Sequence, residues 1–400
     1  MESSDDNPEK VDFTVHDSSK EELIELVKNS KIKRILILSW RDLDDVESGG
    51  SELHAHQIAT RWAEAGLDVT FRSSTAYGLP KFSHRNGYRI IRKSGRYLVF
   101  PRTALSWLVS ASGHYDAVVE IWNGMPFFST LWASKPKVVV LHHVHADMWQ
   151  MVLPPFLAKV GNIIEEVVAP IIFRKEAIIT PSESVKSDVL NRMKFKDSQI
   201  KIVHPGMDPF FYSTPDRNAN PTVIAVGRLV PVKRVPLLIE ILKEVKKTVP
   251  DLRAIIVGDG FEKEIVIDSV NNADATSWIA LKGRVSDQDL LELYRNAWLH
   301  VSASSREGWG LTVLEAGGSY LPSVTFNIPG FMDSVIDGVS GYLAQDPNDM
   351  AVKIEMLLKD TKLREKMGAK ANEFARKLTW DHTSLGIFKE LEEVSLSKKR

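Results

Sequence analysis

Two carboxylates flank a glycine-bearing turn between Ser304 and Gly318. Glu307 precedes Gly308, Trp309, Gly310 and Leu311. Glu315 follows inside a run where Leu311, Val313, Leu314 and Ala316 recur at helical spacing. The two glycines let backbone N–H groups approach a ligand closely. The unpaired N–H groups of a helix start, with the helix dipole behind them, favour an anion there. A carboxylate accepts hydrogen bonds from paired hydroxyls, such as those of a sugar or a ribose. Phosphate donors and hydroxyl acceptors in one turn suit a nucleotide sugar, although the stretch alone reads equally as an ordinary helix start.

Other segments bear on the same chemistry. Arg228 and Lys233 lie just past an apolar run at Thr222–Val226. A guanidinium fork and an ammonium at a strand end would neutralise a diphosphate and the charge that develops as it leaves. Gly49 and Gly50, between the first strand and first helix, allow a phosphate nest or a plain turn. Upstream, Asp42 and Asp44 have the spacing of a metal-holding pair, but a loop is the better reading. The run Val138–Leu141 ends in His142, His143, His145 and Asp147. Zinc is one reading; polar lining of a substrate cleft is the preferred one, because no HExxH pattern accompanies them and neighbouring histidines on a strand point apart. Gly258 and Gly260 begin a dinucleotide fingerprint whose third glycine is replaced by Lys263, which leaves a weak signal.

The elements that would position these residues alternate. Strands are expected at 34–39, 68–72, 88–92, 97–100, 116–122, 137–142, 177–181 and 200–204, then at 222–226, 253–257, 278–282, 300–303 and 323–326. Helices fall between many of them, with long ones at 348–377 and 380–397. This pattern predicts an α/β protein of two Rossmann-like parallel-sheet domains, with ligands beyond the carboxyl ends of the strands and so in the cleft between domains. The divisions are a polar extension at 1–32, an N-terminal domain at 33–205, a linker at 206–220, a C-terminal domain at 221–379 and a last helix at 380–400. Four hundred residues suffice for two cores, and 51 basic against 52 acidic residues give a net charge of −1, with no call for nucleic acid. The absence of cysteine excludes disulfides, thiolate metal sites and a cysteine nucleophile. With no signal peptide or membrane span recognisable, the chain is expected in the cytoplasm, peripheral at most to the inner face of the membrane. Apolar stretches at 105–110 and 151–173, with Arg92, Lys93, Arg96 and Arg102 near the first, leave a lipid-facing surface open beside the reading as core helices.

In chain order, Gly49-Gly50-Ser51-Glu52, His142-His143, Thr180 to Ser184, Pro205 to Asp208, Gly227-Arg228 with Lys233, Gly258 to Gly260, Gly283 to Val285, Glu307 with Glu315, and Asp337 to Leu343 form an ordered set. This set resembles the retaining glycosyltransferases of family 4 (glycosyl transferases group 1) from about Arg34 to Thr383. The resemblance implies a GT-B architecture and metal-independent transfer of a hexosyl group from a UDP- or GDP-linked sugar. Its acceptor would be a hydroxyl of a glycan, lipid-linked or small molecule. No cofactor or metal is implied beyond the donor substrate. Arg228 and Lys233 would bind the diphosphate, with Gly49 and Gly50 facing it. Glu315 would hold the ribose, and Glu307 the transferred sugar, with the backbone from Gly308 through Trp309 and Gly310 to Leu311. The base would rest near Arg284 and Val285. The cleft histidine would be His142 or His143, and the last helix would cross back to the N-terminal domain. One departure is Asn327 to Ser334, where the family often has a second glycine-rich turn. A catalytically inactive nucleotide-sugar-binding protein is the alternative, and a dehydrogenase or epimerase would require the missing glycine.

Overall fold

A computed structural model describes residues 17–109, 113–146 and 148–397. The first domain carries β1 (Arg34–Leu38), β2 (Asp68–Ser73), β3 (Phe82–Arg85), β4 (Tyr88–Arg92), β5 (Ala117–Trp122), β6 (Lys137–Leu141), β7 (Ala177–Thr180) and β8 (Ile200–Ile202). They lie in the order β3-β4-β2-β1-β5-β6-β7-β8, parallel except for β3 at the edge. The second holds β9 (Thr222–Val226), β10 (Arg253–Val257), β11 (Ile279–Gly283), β12 (Leu299–Ser302), β13 (Ser323–Phe326) and β14 (Gly341–Ala344). Their order is β11-β10-β9-β12-β13-β14, all parallel. Numbered from its own first strand, this second sheet runs 3-2-1-4-5-6, the doubly wound order, and its direction of winding reverses between β9 and β12. In the first sheet the reversal falls between β1 and β5. Crevices open beyond the strand ends at such points, so the topology alone directs attention to residues 39–50, 123–124, 227–233 and 304–311.

Alternation along the strands divides each core into layers. Ile35, Ile37, Val119, Val138 and Val140 face one side of the first sheet, packed on Ile58 and Trp62 of the helix Gly50–Glu64 and on Ile387, Phe388 and Leu391 of the last helix, Trp380–Ser397. That last helix therefore lies on the first domain, although the strands before it belong to the second. Leu36, Leu38 and Val118 face the other side with Val99 and Phe127, continued by Val139 and Leu141 against Ala169 and Phe173. The second sheet buries Leu238, Ile239 and Leu242 on one face and Tyr294, Trp309 and Leu314 on the other.

Four elements differ from the sequence pattern. Tyr97–Phe100, aromatic and β-branched, is no strand: it leads into a helix at Val99–Leu108. Pro101 sits in its first turn, where a missing N–H costs nothing, and Val99 is fully buried. The short strands β3 and β14 have no clear alternation of their own and depend on a neighbour for pairing. The long helix at 348–377 is two, Pro347–Lys359 and Thr361–Ala375, divided where the Asp360 carboxylate accepts from the Leu363 amide and caps the second.

Candidate active site

One cavity of about 600 Å³ lies between the two sheets, lined from both domains. From the first domain come Gly49, Gly50, His54, Asn123, Gly124, His142, His143 and His145. From the second come Gly227, Arg228, Lys233, Glu307 to Leu311, and Glu315. These are the ends of strands on either side of both topological switch points, with the end of β6 added. Arg284 and Val285 do not line it. Val285 packs into the second core, and the Arg284 guanidinium donates to the Val46 carbonyl at 3.2 Å across the domain boundary.

The turn after β12 is shaped by what lies behind it. Gly310 has φ 95° and begins the helix Leu311–Gly318; a side chain there would also strike the Phe331 ring at 2.8 Å. Gly330 packs against the Glu307 carbonyl from beneath. The Trp309 side chain turns into the second core and stacks on His204 at 4.9 Å, so its ring forms wall rather than an open platform. Glu307, left facing the cavity, is ion-paired with the Lys233 ammonium. Glu315 lies one helical turn and more further on, at the cavity floor, where the Tyr294 hydroxyl donates to it at 3.0 Å. Burial pushes its carboxyl up to about 7.

Arg228 stands opposite. Its guanidinium donates to the Glu47 carbonyl at 3.2 Å, and a side chain on Gly49 would meet its Nε at 3.3 Å. A side chain on Gly50 would likewise touch Leu311. The glycine pair thus lets the helix Gly50–Glu64 of one domain start against Arg228 and Leu311 of the other. Burial, then the nearby Arg41 charge, lowers the Arg228 pKa, so an anion beside it would be strongly favoured. The Gly49 amide is not free for a ligand, because Glu52 accepts it at 2.9 Å. Gly258 and Gly260 have a supporting task. Side chains on them would sit 1.8 Å from the Gly227 carbonyl oxygen and 2.3 Å from that of Leu229, so their turn lies directly beneath the Arg228 loop.

His142 leaves the strand and turns its Nε2 to Nδ1 of His54, 2.7 Å away. Burial lowers its pKa to about 4, and that of His54 well below the ordinary value, so both rings are neutral and share one proton donor. His143 and His145 stack on each other at 4.7 Å. Burial lowers both, His145 to about 3. Among the described residues no three His, Cys, Asp or Glu side chains converge as metal ligands. Asp147, considered with these histidines, lies outside the described residues. Asp42 and Asp44 are held by Arg92, whose Nε and Nη2 reach Asp42 at 2.6 and 3.0 Å and whose Nη2 reaches Asp44 at 2.7 Å.

Sequence reasoning missed three contributors. His54 lies four residues after Gly50, hence on the same helical face, which was a usable signal. Asn123, beyond β5, donates to Ser51 at 2.7 Å. Glu165 is one acid within the apolar stretch 151–173, and nothing in its sequence surroundings marks it out. It is buried and accepts from the His145 and Ala146 amides at 2.8 and 3.1 Å and from the Trp149 indole at 3.0 Å. It stands in a π-helical segment, Ile164–Val168, and its carboxyl is pushed up to about 7 by burial.

Family models match both halves: "Glycosyltransferase Family 4" over residues 48–210 and "Glycosyl transferases group 1" over 210–374. The chain belongs to the group 1 glycosyltransferases. A glycogen synthase of Mycobacterium tuberculosis is 25% identical over 402 residues, covering 92% of this chain and 95% of the relative. An uncharacterized glycosyltransferase of Methanocaldococcus jannaschii is 30% identical over 224 residues, 55% of this chain and 60% of that one. In fold, this glycosyltransferase is similar to sucrose-phosphate synthase from Thermosynechococcus elongatus, with TM-score 0.78, 18% identity and coverage of 91% and 100% of the two chains. The architecture is GT-B.

Proposed function

We propose that this glycosyltransferase moves a hexosyl group from a nucleoside-diphosphate sugar to an acceptor hydroxyl with retention at the anomeric carbon. The observation that carries this reading is the convergence of Arg228, Lys233, Glu307, Glu315 and the start of the helix Leu311–Gly318 on one interdomain cavity. The donor diphosphate would lie between the two cations and the helix start, with the ribose diol on Glu315. Competition from phosphate for Lys233 would release the Glu307 carboxylate to the hydroxyls of the sugar. Two cations and a helix dipole at the leaving group supply the electrostatic stabilisation that a divalent metal would otherwise give. The cavity's carboxylates are Glu47, Glu307 and Glu315. Glu47 is paired with Arg41 and Arg96, and the other two have donor contacts to make. That allocation supports front-face attack, with the departing phosphate taking the acceptor proton, over a covalent glycosyl-enzyme.

Slow hydrolysis of a panel of UDP- and GDP-linked hexoses tests this without an acceptor. One donor should be cleaved, and Glu307→Ala should abolish cleavage while leaving nucleotide affinity largely intact. Charge-assisted hydrogen bonds contribute about 1.5–3 kcal/mol each, so Arg228→Ala with Lys233→Ala should weaken nucleoside diphosphate at least a hundredfold in calorimetry. Unchanged affinity in that double variant refutes the site. Hydrolysis lost in EDTA and restored by manganese refutes metal independence. Binding without cleavage of any donor would favour an inactive sugar-nucleotide-binding protein.

A further inference from the structure

The helical stretch 155–172 is built inside out. Its buried positions are Ala158, Gly161, Glu165 and Ala169, while Phe156, Leu157, Val160, Ile163, Val167 and Ile171 are exposed, Phe156 by 77%. The small inner face has a cause: the Trp149 indole fills the place where a Gly161 side chain would be, 2.7 Å from the ring. The large apolar face has no partner among the described residues. The same side of the first sheet carries the helix Val99–Leu108 and the turn at 129–131, which expose Leu98, Leu105, Leu108, Val109 and Leu131. On the opposite side, the helices Ser19–Asn29, Gly50–Glu64 and Trp380–Ser397 expose only Ile24 and Leu396 among large apolar residues. Within the first domain, apolar side chains gathered on one side of the sheet and nearly absent from the helices of the other mark an interaction face.

We propose that this layer docks on an anionic lipid bilayer. Among its exposed cations, Arg102, Lys159, Arg174 and Lys175 have no ion-pair partner among the described residues. The helical stretch contains two acids; Glu165 is buried and Glu166 is balanced by Arg192 at 3.6 Å. Apolar side chains beside unpaired cations fit anionic headgroups. They oppose self-association, because a two-fold contact through this face would bring two clusters of unpaired cations together. Arg92 and Arg96, basic in sequence, take no part, since both are held by carboxylates of the 42–47 loop. The apolar surface also enters the cavity through Tyr97, Met148, Trp149, Met151 and Leu153. Resting on the transfer reading, that continuity places the acceptor hydroxyl on a lipid-carried molecule reaching the cleft from the bilayer.

The test is flotation of the full chain with vesicles of phosphatidylcholine alone or mixed with phosphatidylglycerol. Protein should float with the mixed vesicles and stay behind with the neutral ones. Lys159→Glu, Arg174→Glu and Lys175→Glu together should cut binding about a hundredfold or more, from roughly fivefold per cation removed. Phe156→Ser, Val160→Ser and Ile163→Ser should also release the protein. Calorimetry with UDP and GDP should be unchanged in both variants, which shows that they fold. Flotation with intact lipid response but no nucleotide binding in any form would sink the donor reading and leave the docking face standing. Wild type that ignores anionic vesicles overturns the proposal. So does either variant floating as well as wild type, or an apolar-face variant that only converts a dimer to a monomer in light scattering.

Discussion

Gly308→Ala separates closing the cleft from folding the domains. A methyl group on Gly308 would lie 2.6 Å from the His142 carbonyl oxygen and 3.3 Å from its carbon, both backbone atoms of the opposite domain. The Gly308 backbone lies outside the left-handed region, so alanine itself is unstrained there. Ordinary contact needs about 3.4 Å, so the two domains must part by roughly 0.8 Å at this point or the turn must distort. Overpacking of this kind costs about 1–3 kcal/mol. That cost falls on the closed arrangement, because each domain keeps its own core and can relieve the clash by opening. At about 1.4 kcal/mol per factor of ten, kcat/KM for the donor should fall about 5- to 150-fold. Thermal unfolding should shift by no more than about 2 °C, since 1 kcal/mol inside a domain of this size would move it 2–4 °C. Steady-state donor hydrolysis and a thermal melt on the same preparation are sufficient. Wild-type kcat/KM would refute the importance of this contact. A large fall in melting temperature would show that Gly308 serves folding rather than closure.

Nucleotide affinity should depend on pH through Glu315. Its free carboxyl is raised to about 7, so it is largely protonated below that, whereas ribose hydroxyls donate to the ionised form. Affinity for UDP or GDP should therefore drop as pH falls from 8 to 6, approaching tenfold per unit. Analogues without both ribose hydroxyls, and the Glu315→Gln variant, should lack this dependence; a wild-type curve parallel to theirs in calorimetry removes Glu315 from ribose binding. Glu165→Gln sets an amide NH2 toward at least one of the three donors now met by carboxylate oxygens, at about 1–3 kcal/mol for a buried group left unsatisfied. The His145 to Trp149 loop should loosen, with faster amide exchange there and impaired transfer but unchanged nucleotide affinity; unaltered exchange would show that Glu165 does not hold the loop.

The legible part of this molecule is local. Glu307 and Glu315 stand on one turn and its helix, and Arg228 and Lys233 on another, so strand–turn–helix patterning placed each pair at a strand end. Alternating elements were enough for two parallel sheets, because β-branched runs such as Val138–Leu141 and Ile35–Leu38 have no other way to bury both faces. What escaped depends on partners distant in sequence. Tyr97–Phe100 has strand composition, and only Val99 meeting Leu36, Leu38 and Val118 makes the segment the beginning of a helix. Asp42 and Asp44 look like metal ligands until Arg92, fifty positions on in the case of Asp42, arrives between them. Glu165 is one of two adjacent acids in an apolar stretch, and only the histidine loop folded over it sets it apart from Glu166.

The contacts that join the domains are interleaved with the residues of the site. Glu307 sits between Arg306, which reaches Asp188 at 2.7 Å, and Gly308, which rests on His142. Behind the same turn, the Gly330 amide donates to the Ser184 hydroxyl at 2.8 Å, and that hydroxyl bonds to Asp333. Arg228 bonds the backbone at Glu47, two residues before Gly49. On the proposed donor placement, a ligand that moves Glu307 or Arg228 would therefore disturb the contacts that hold the cleft shut, and a cleft that opens would carry both groups away from the donor. Closing in such an arrangement excludes water only when the donor groups are correctly placed, which is the condition under which transfer can outcompete hydrolysis.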